Sequence, residues 1–215
     1  MKTLSYLLPF VLLLVVGCRE EVCRECPGIT FDYESFDPTV NDDAFVFSRA
    51  DGSTLTFERI RFNRTEGQEV CTEDVDEPAD IICDGFADLQ LGSEELGIDM
   101  AINYYQILGQ RGVPTQTVQS FSFRDRDFTQ FLRTHAVVIE PEIVLQGSFV
   151  ELRDSLTIDG ELYLDVLRLN QPASAFDQLT SLPDAGRFTV IEFKEGVGLL
   201  RLVDVDGNVY ERRFQ

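Results

Sequence analysis

Residues 44–62 read AFVFSRADGSTLTFERIRF, and the register of this stretch sets the architecture. Phe45 and Phe47 alternate before Asp51-Gly52, and Leu55 and Phe57 alternate after it, the period-two pattern of two half-buried strands about a turn. These four side chains share a face only if paired residue numbers sum to an even value, as for Phe47 with Leu55 or Phe45 with Phe57. A two-residue type I′ loop gives an odd sum and sets phenylalanines opposite threonines. A three-residue loop with Gly52 in the left-handed region gives the even one, so a hairpin of the G1-bulge type is expected. Beyond it the phase slips, with Leu55 and Phe57 odd but Ile60 and Phe62 even, which predicts a β-bulge at Glu58 to Arg59.

The same arithmetic extends outward. In Ser155 to Leu169, a three-residue loop closed by Gly160 sets Leu156 opposite Leu162 and Asp154 opposite Leu164, gathering Leu156, Leu162, Leu164 and Val166 on one face. In Leu199 to Phe214, Gly207 in that role sets Leu202 opposite Tyr210 and Val203 opposite Val209. Strands are also expected over Ile81 to Leu91, Ile98 to Leu108, Thr117 to Phe123 and His135 to Val150. Two short helices are expected, one capped by Asp127 and carrying Phe128, Phe131 and Leu132, the other opened by Pro172 and carrying Phe176 and Leu179. The fold class is all-β and predominantly antiparallel, a curved sheet forming either a β-sandwich or a half-barrel, with a helix against the concave side.

Composition and the first residues set the surroundings. Tyr6 to Val16 is an apolar run behind a single basic residue, Lys2, and is too short to cross a hydrocarbon core of about 30 Å, so 1–17 reads as a signal peptide. Residues 18–43 then form a tether and 44–215 one antiparallel β domain. Removal of the signal leaves 17 basic against 38 acidic residues, a formal charge of −21. That balance excludes nucleic acid as a partner, since phosphate neutralisation needs clustered Lys and Arg. Cys23, Cys26, Cys71 and Cys83 are an even set, read in an oxidising compartment as two disulfides with three connectivities open. Cys71 and Cys83 bracket an acidic loop, and either close it locally or each tie it to the N-terminal tether. A redox Cys-x-x-Cys is disfavoured because Pro27 and Gly28 follow Cys26 and deny it a helix N-terminus.

Val15, Val16, Gly17 and Cys18 resemble the lipobox of bacterial lipoproteins, which implies that Cys18 carries diacylglycerol and becomes the N-terminus. Acyl chains contribute about 0.8 kcal/mol per buried methylene, enough to hold the chain on a membrane without a spanning helix. Arg19, Glu20 and Glu21 resemble the short signal that, in bacteroidete-type lipoproteins, accompanies export to the outer face of the outer membrane. DSLTIDGELYLDV at Asp154 to Val166 and FKEGVGLLRLVDVDGNVYERRF at Phe193 to Phe214 resemble phrases in uncharacterised outer-membrane lipoproteins of that type. The resemblance implies architecture and compartment, including half-barrels that hold acyl chains, and transfers no catalytic residue. Asp154-Ser155-Leu156 resembles an O-glycosylation acceptor of the same group.

No catalytic constellation is expected. The one histidine, His135, precedes the apolar Ala136 to Ile139 and reads as a strand-end residue, and no Gly-x-Ser-x-Gly elbow occurs. The loop with Glu73, Asp74, Asp76, Glu77 and Asp80, and the turn with Asp204 and Asp206, are calcium candidates. In the turn, Gly207 falls at the fourth position from Asp204 and so departs from an EF-hand loop; no cofactor is expected. The absence of Trp, with 17 Phe that read mostly as core, counts against a sugar-binding module. The leading expectation is a non-enzymatic, lipid-anchored binding or structural module of the outer membrane, meeting a surface protein or glycan. The alternative is a half-barrel carrier of a lipid or other apolar ligand, and the third is a hydrolase using paired carboxylates.

Overall fold

In the computed structural model, residues 21–73, 75–108, 115–125, 131–140, 144–146, 150–172 and 187–214 are described. After β1 (Val22–Cys26) come a one-turn helix, α1 (Tyr33–Phe36), and a 3₁₀ turn over Pro38–Asn41. The strands that follow are β2 (Ala44–Ser48), β3 (Thr54–Arg64), β4 (Gln68–Thr72), β5 (Asp84–Ser93), β6 (Ile98–Ile107), β7 (Gln116–Asp125), β8 (Phe131–Glu140) and β9 (Val144–Gln146). Five more, β10 (Val150–Ile158), β11 (Glu161–Asn170), β12 (Phe188–Lys194), β13 (Gly198–Asp204) and β14 (Val209–Arg212), complete the order. β1 and β4 pair as a ribbon, and the rest form one 12-stranded antiparallel sheet in the order β10-β11-β12-β13-β14-β2-β3-β5-β6-β7-β8-β9.

Connectivity forces that sheet to curl. β9 and β10 are its two edges, yet only residues 147–149 separate them. A flat sheet of 12 strands measures about 50 Å across, whereas the link from Gln146 to Val150 reaches about 14 Å at most. The edges are therefore drawn towards each other and the sheet bends into a half-barrel, which decides between the two architectures expected.

The hairpin arithmetic holds in two places and fails in one. Phe45 pairs with Phe57 and Phe47 with Leu55, and Gly52 has φ 86°. Leu202 pairs with Tyr210 and Val203 with Val209, and Gly207 has φ 80°. At Gly160 the loop has two residues instead, because Asp159 (φ 50°) and Gly160 (φ 85°) are both left-handed, as a type I′ turn requires. Leu156 consequently pairs with Tyr163, and Thr157 with Leu162. This register buries Ile158 and Tyr163 with Leu156, Val166 and Leu200, and leaves Leu162 and Leu164 60% and 54% exposed. Parity among the leucines alone overlooked Ile158 and Tyr163.

The bulge falls at Ile60, between Arg59 and Arg61, one residue beyond the expected place. Arg59 stays in the ladder because its amide donates to the Asp43 carbonyl at 2.8 Å and its guanidinium to the Asp42 carbonyl at 2.7 Å. The displaced Ile60 side chain lies over Gly92, where a Cβ would meet its Cδ1 at 2.7 Å. The helix expected at Asp127 is contradicted at Phe131 and Leu132, which open β8 opposite Arg124 and Phe123; β7 runs on to Asp125 and its edge groups need partners. Residues 126–130 and the helix expected from Pro172 through Phe176 and Leu179 lie outside the described residues.

The largest departure concerns the tether. Within residues 18–43, β1 pairs with β4, and Tyr33, Phe36 and Val40 belong to the main core cluster. Asp32 caps α1 by accepting from the Ser35 amide at 3.1 Å, and Asp37 caps the 3₁₀ turn opened by Pro38. So folded, the segment seats the Phe36 ring 5.4 Å from that of Phe193 and the Tyr33 ring 6.0 Å from that of Tyr104. On the outer surface, Glu151, Arg168, Glu192, Arg201 and Glu211 are successive cross-strand partners from β10 to β14. Glu192, fully buried at the centre of this row, accepts a hydrogen bond from Arg153 Nη1 at 2.8 Å and forms an ion pair with Arg201 Nε at 2.5 Å. Alternating sign favours this register over a one-residue slip.

If the N-terminal segment is core, Phe36→Ala should cost about 3–5 kcal/mol in urea unfolding. A tether residue would change stability by about 0.5 kcal/mol or less, so a loss that small would contradict the packing.

Candidate functional site

The interior carries a polar track among its aromatic rings. On the inward face of β6 and β7, Tyr104 donates to Asp37 Oδ2 at 2.9 Å and accepts from Gln119 Nε2 at 2.8 Å. Asp37 Oδ1 accepts from the Thr39 amide at 3.1 Å and from the Thr39 hydroxyl. One step along the strands, Gln106 Oε1 accepts from the Thr30 amide and hydroxyl at 2.8 and 3.0 Å, while its Nε2 donates to Thr117 at 3.1 Å. The N-terminal segment thus gives partners to Tyr104 and Gln106, polar groups that the sheet turns inward, while Gln119 Oε1 stays buried without a hydrogen-bond partner among the described residues.

Burial drives the electrostatics of this track. It raises the Asp37 carboxyl above its ordinary 3.8, with the bonds from Thr39 and Tyr104 and the Arg212 charge pulling the other way. Burial, and then the neighbouring Asp37, push the Tyr104 hydroxyl well above its ordinary value. Both shifts belong to groups held inside the fold by their own chain.

Pro38, next to Asp37 in the chain, borders a cavity of about 660 Å³ whose walls also include Asp42, Asp43, Gly196, Arg212 and Phe214. Arg212 is buried between the Phe45 and Phe214 rings, 5.0 and 4.9 Å from their centroids. Its guanidinium donates to the Leu199 carbonyl at 3.3 Å and to the Asp42 carboxylate. Desolvation lowers its pKa while Asp42 and Asp37 raise it. The cavity therefore presents a guanidinium already engaged by its own chain, beside a second cation, Arg213, and lacks the continuous apolar wall an acyl chain needs.

The expected site residues are scattered. Cys23 is bonded to Cys71 and Cys26 to Cys83, so the acidic loop is tied twice to the N-terminal segment. Cys18 and Asp74 lie outside the described residues; Asp76 is exposed. Among the described residues the one cluster spaced for a metal is Cys23, Glu69 and Cys71, and its two sulfurs are spent in the disulfide. Asp204 is engaged structurally: its Oδ1 accepts from the Asp206 and Asn208 amides at 3.0 and 2.9 Å, and its Oδ2 from the Asn208 side chain and Tyr210. Four donors within one turn organise the Gly207 hairpin, with Asp206 left exposed. His135 stands within β8, paired with Phe121, and Ser155 lies exposed within β10.

Sequence reasoning missed the Asp37–Tyr104–Gln119 track. Asp37-Pro38 reads locally as a turn, and only the alternation of Tyr104 with Ile102 and Met100 marked it as inward-facing. Comparison with protein-family models, curated proteins and solved structures returns no match.

The raised Asp37 pKa fixes a sign. Between 3.8 and the folded value, the folded chain holds a proton that the unfolded chain has released, so this group's contribution to stability falls as pH rises through that window. Asp37→Asn removes that dependence. The stability of wild type minus that of the variant, from urea midpoints at a series of pH values, should decline across the window and level off above it; a difference that climbs would contradict the burial.

Proposed function

We propose that this chain is a non-catalytic, lipid-anchored binding or structural module of a bacterial cell envelope, held on the outer membrane through Cys18. The observation that carries this reading is the cysteine pairing. Five cysteines are present, four are joined in two disulfides, and the odd one follows Gly17 directly after the apolar run. Disulfides of this kind persist in oxidising compartments, and a single unpaired thiol at that position suits thioether lipidation.

Placement of β1 supports the same reading. Only residues 19–21 separate Cys18 from Val22, so the first strand stands about 14 Å or less from the anchored residue. The body then sits close to the lipid surface, kept in solution by its acidic charge, with Arg19, Glu20 and Glu21 favouring the outer face. Buried carboxylates give a further reason: Asp37 and Asp204 are met by hydrogen-bond donors, and Glu192 by arginines, of their own chain. None of the three is poised towards a cleft as general acid–base chemistry requires. The carrier alternative draws less support, because Tyr33 and Phe36 fill the concave side where an acyl chain would lie.

Metabolic labelling of the full chain in a lipoprotein-processing host with an alkyne analogue of palmitate tests the anchor. Wild type should take up label and partition with membranes; Cys18→Ser should lose both while keeping two disulfides. Label retained by Cys18→Ser, or wild type unlabelled and released, would refute the assignment.

A further inference from the structure

We propose that the convex face of β5, β6 and β7 is a binding site for a neutral carbohydrate. This names a ligand class for the binding module proposed above and rests on that reading only in needing this face to meet the exterior. Phe86 and Tyr105 are direct cross-strand partners turned outward, 46% and 39% exposed. Beside them opens a groove of about 480 Å³ whose walls include Asp88, Asn103, Ser120 and Ser122, within the usual volume of small-ligand sites.

Its chemistry is specific. Contrary to the expectation from the lack of Trp, these two adjacent exposed rings offer flat apolar faces for the C–H side of a pyranose. The next row of the ladder sets Asp88 opposite Asn103 and Asn103 opposite Ser120. Asn103 is half-buried, and its side-chain amide has no hydrogen-bond partner among the described residues, so that amide offers two donors and an acceptor. Asp88 takes Gln90 Nε2 at 2.9 Å and Arg61 at 3.7 Å on Oδ2, leaving Oδ1 open as an acceptor. A carboxylate oxygen next to a free amide, on side chains about 5 Å apart at Cβ, brackets two neighbouring hydroxyl groups, one donating and one accepting.

The platform is fixed before any ligand arrives. Phe86 exchanges backbone bonds with Thr65, its carbonyl accepting from the Thr65 amide at 2.8 Å and its amide donating to the Thr65 hydroxyl at 3.1 Å. Tyr105 donates to Asp84 at 3.1 Å, which holds its ring in place. Asp84 and Asp88 beside the rings, on a chain of net charge −20, repel uronate or sulfated sugars, so the ligand is a neutral one.

Affinity electrophoresis of the detergent-solubilised mature chain, in native gels containing a mixed-linkage β-glucan, a β-mannan, a xylan or an α-glucan, tests the site, with polygalacturonate as the acidic comparison. At least one neutral polymer should retard the chain and polygalacturonate should not. Tyr105→Ala and Asn103→Ala should each weaken retardation about tenfold or more with unchanged circular dichroism and melting temperature. Asp88→Asn, which keeps shape and removes the charged acceptor, provides a variant that retains the fold. The same shift is expected for Cys18→Ser, so loss of the anchor and loss of sugar binding are read separately. Retardation by no neutral polymer, equal retardation by polygalacturonate, or wild-type behaviour of the Tyr105, Asn103 and Asp88 variants would overturn the proposal.

Discussion

The hydrogen bond from the Tyr104 hydroxyl to the Asp37 carboxyl joins the two parts of the molecule that must find each other. Tyr104 belongs to the sheet, and Asp37 to the segment that fills it. A curved sheet of this size leaves a concave side that something must cover, and an inward Tyr, Gln and Thr on β6 and β7 would be costly there without partners. The segment around α1 supplies both, apolar volume from Tyr33 and Phe36 and polar complement from Thr30, Asp37 and Thr39. Gly198 records how tightly they meet: at φ 91°, a Cβ there would lie 2.5 Å from Asp37 Oδ1.

Two covalent links hold this arrangement at its other end. Cys23–Cys71 and Cys26–Cys83 bind β1 to β4 and to the approach of β5, closing sequence separations of 48 and 57 residues. In the chain-entropy view the first cross-link over a loop of that length restricts the unfolded chain by roughly 4 kcal/mol, and the second, whose loop is shortened by the first, by roughly 3 kcal/mol. They also keep the filling segment beside the sheet it must enter. Across the far half of the sheet, the alternating row from Glu151 to Glu211 fixes the register of five strands. Only Glu192 of this row is fully buried, and an ion pair at such a position favours specificity over net stability.

With the concave side filled by Tyr33 and Phe36, the proposed binding face is an outer one. The convex surface of β5 to β7 combines outward rings, an unpartnered side-chain amide and an open carboxylate oxygen, while in the cavity near Arg212 that guanidinium is already paired with Asp42. If the proposed anchor at Cys18 holds the chain close to a lipid surface, polymeric ligands would meet its outside, so the proposed anchor and the proposed groove make compatible demands on one fold.

Strand chemistry was legible in the residues alone. Asp-Gly turns with alternating apolar residues specify antiparallel hairpins, and parity set two of three registers because both choices there differed in burying phenylalanine or tyrosine. Parity failed at Gly160, where either register buries apolar side chains and the packing of Ile158 and Tyr163 on Leu200 decides. The even number of cysteines beyond Cys18 foretold two bridges, but which pairs form depends on which strands adjoin. The role of residues 22–41 belonged to the folded arrangement, since the short apolar alternation around Phe31, Tyr33 and Phe36, broken by Pro27, Gly28 and Pro38, does not say what it packs against. Its aromatic side chains become core only when a sheet made from residues far along the chain curls around them. The same holds for Phe86 and Tyr105: alternation places them outward, and only the pairing of β5 with β6 sets them side by side.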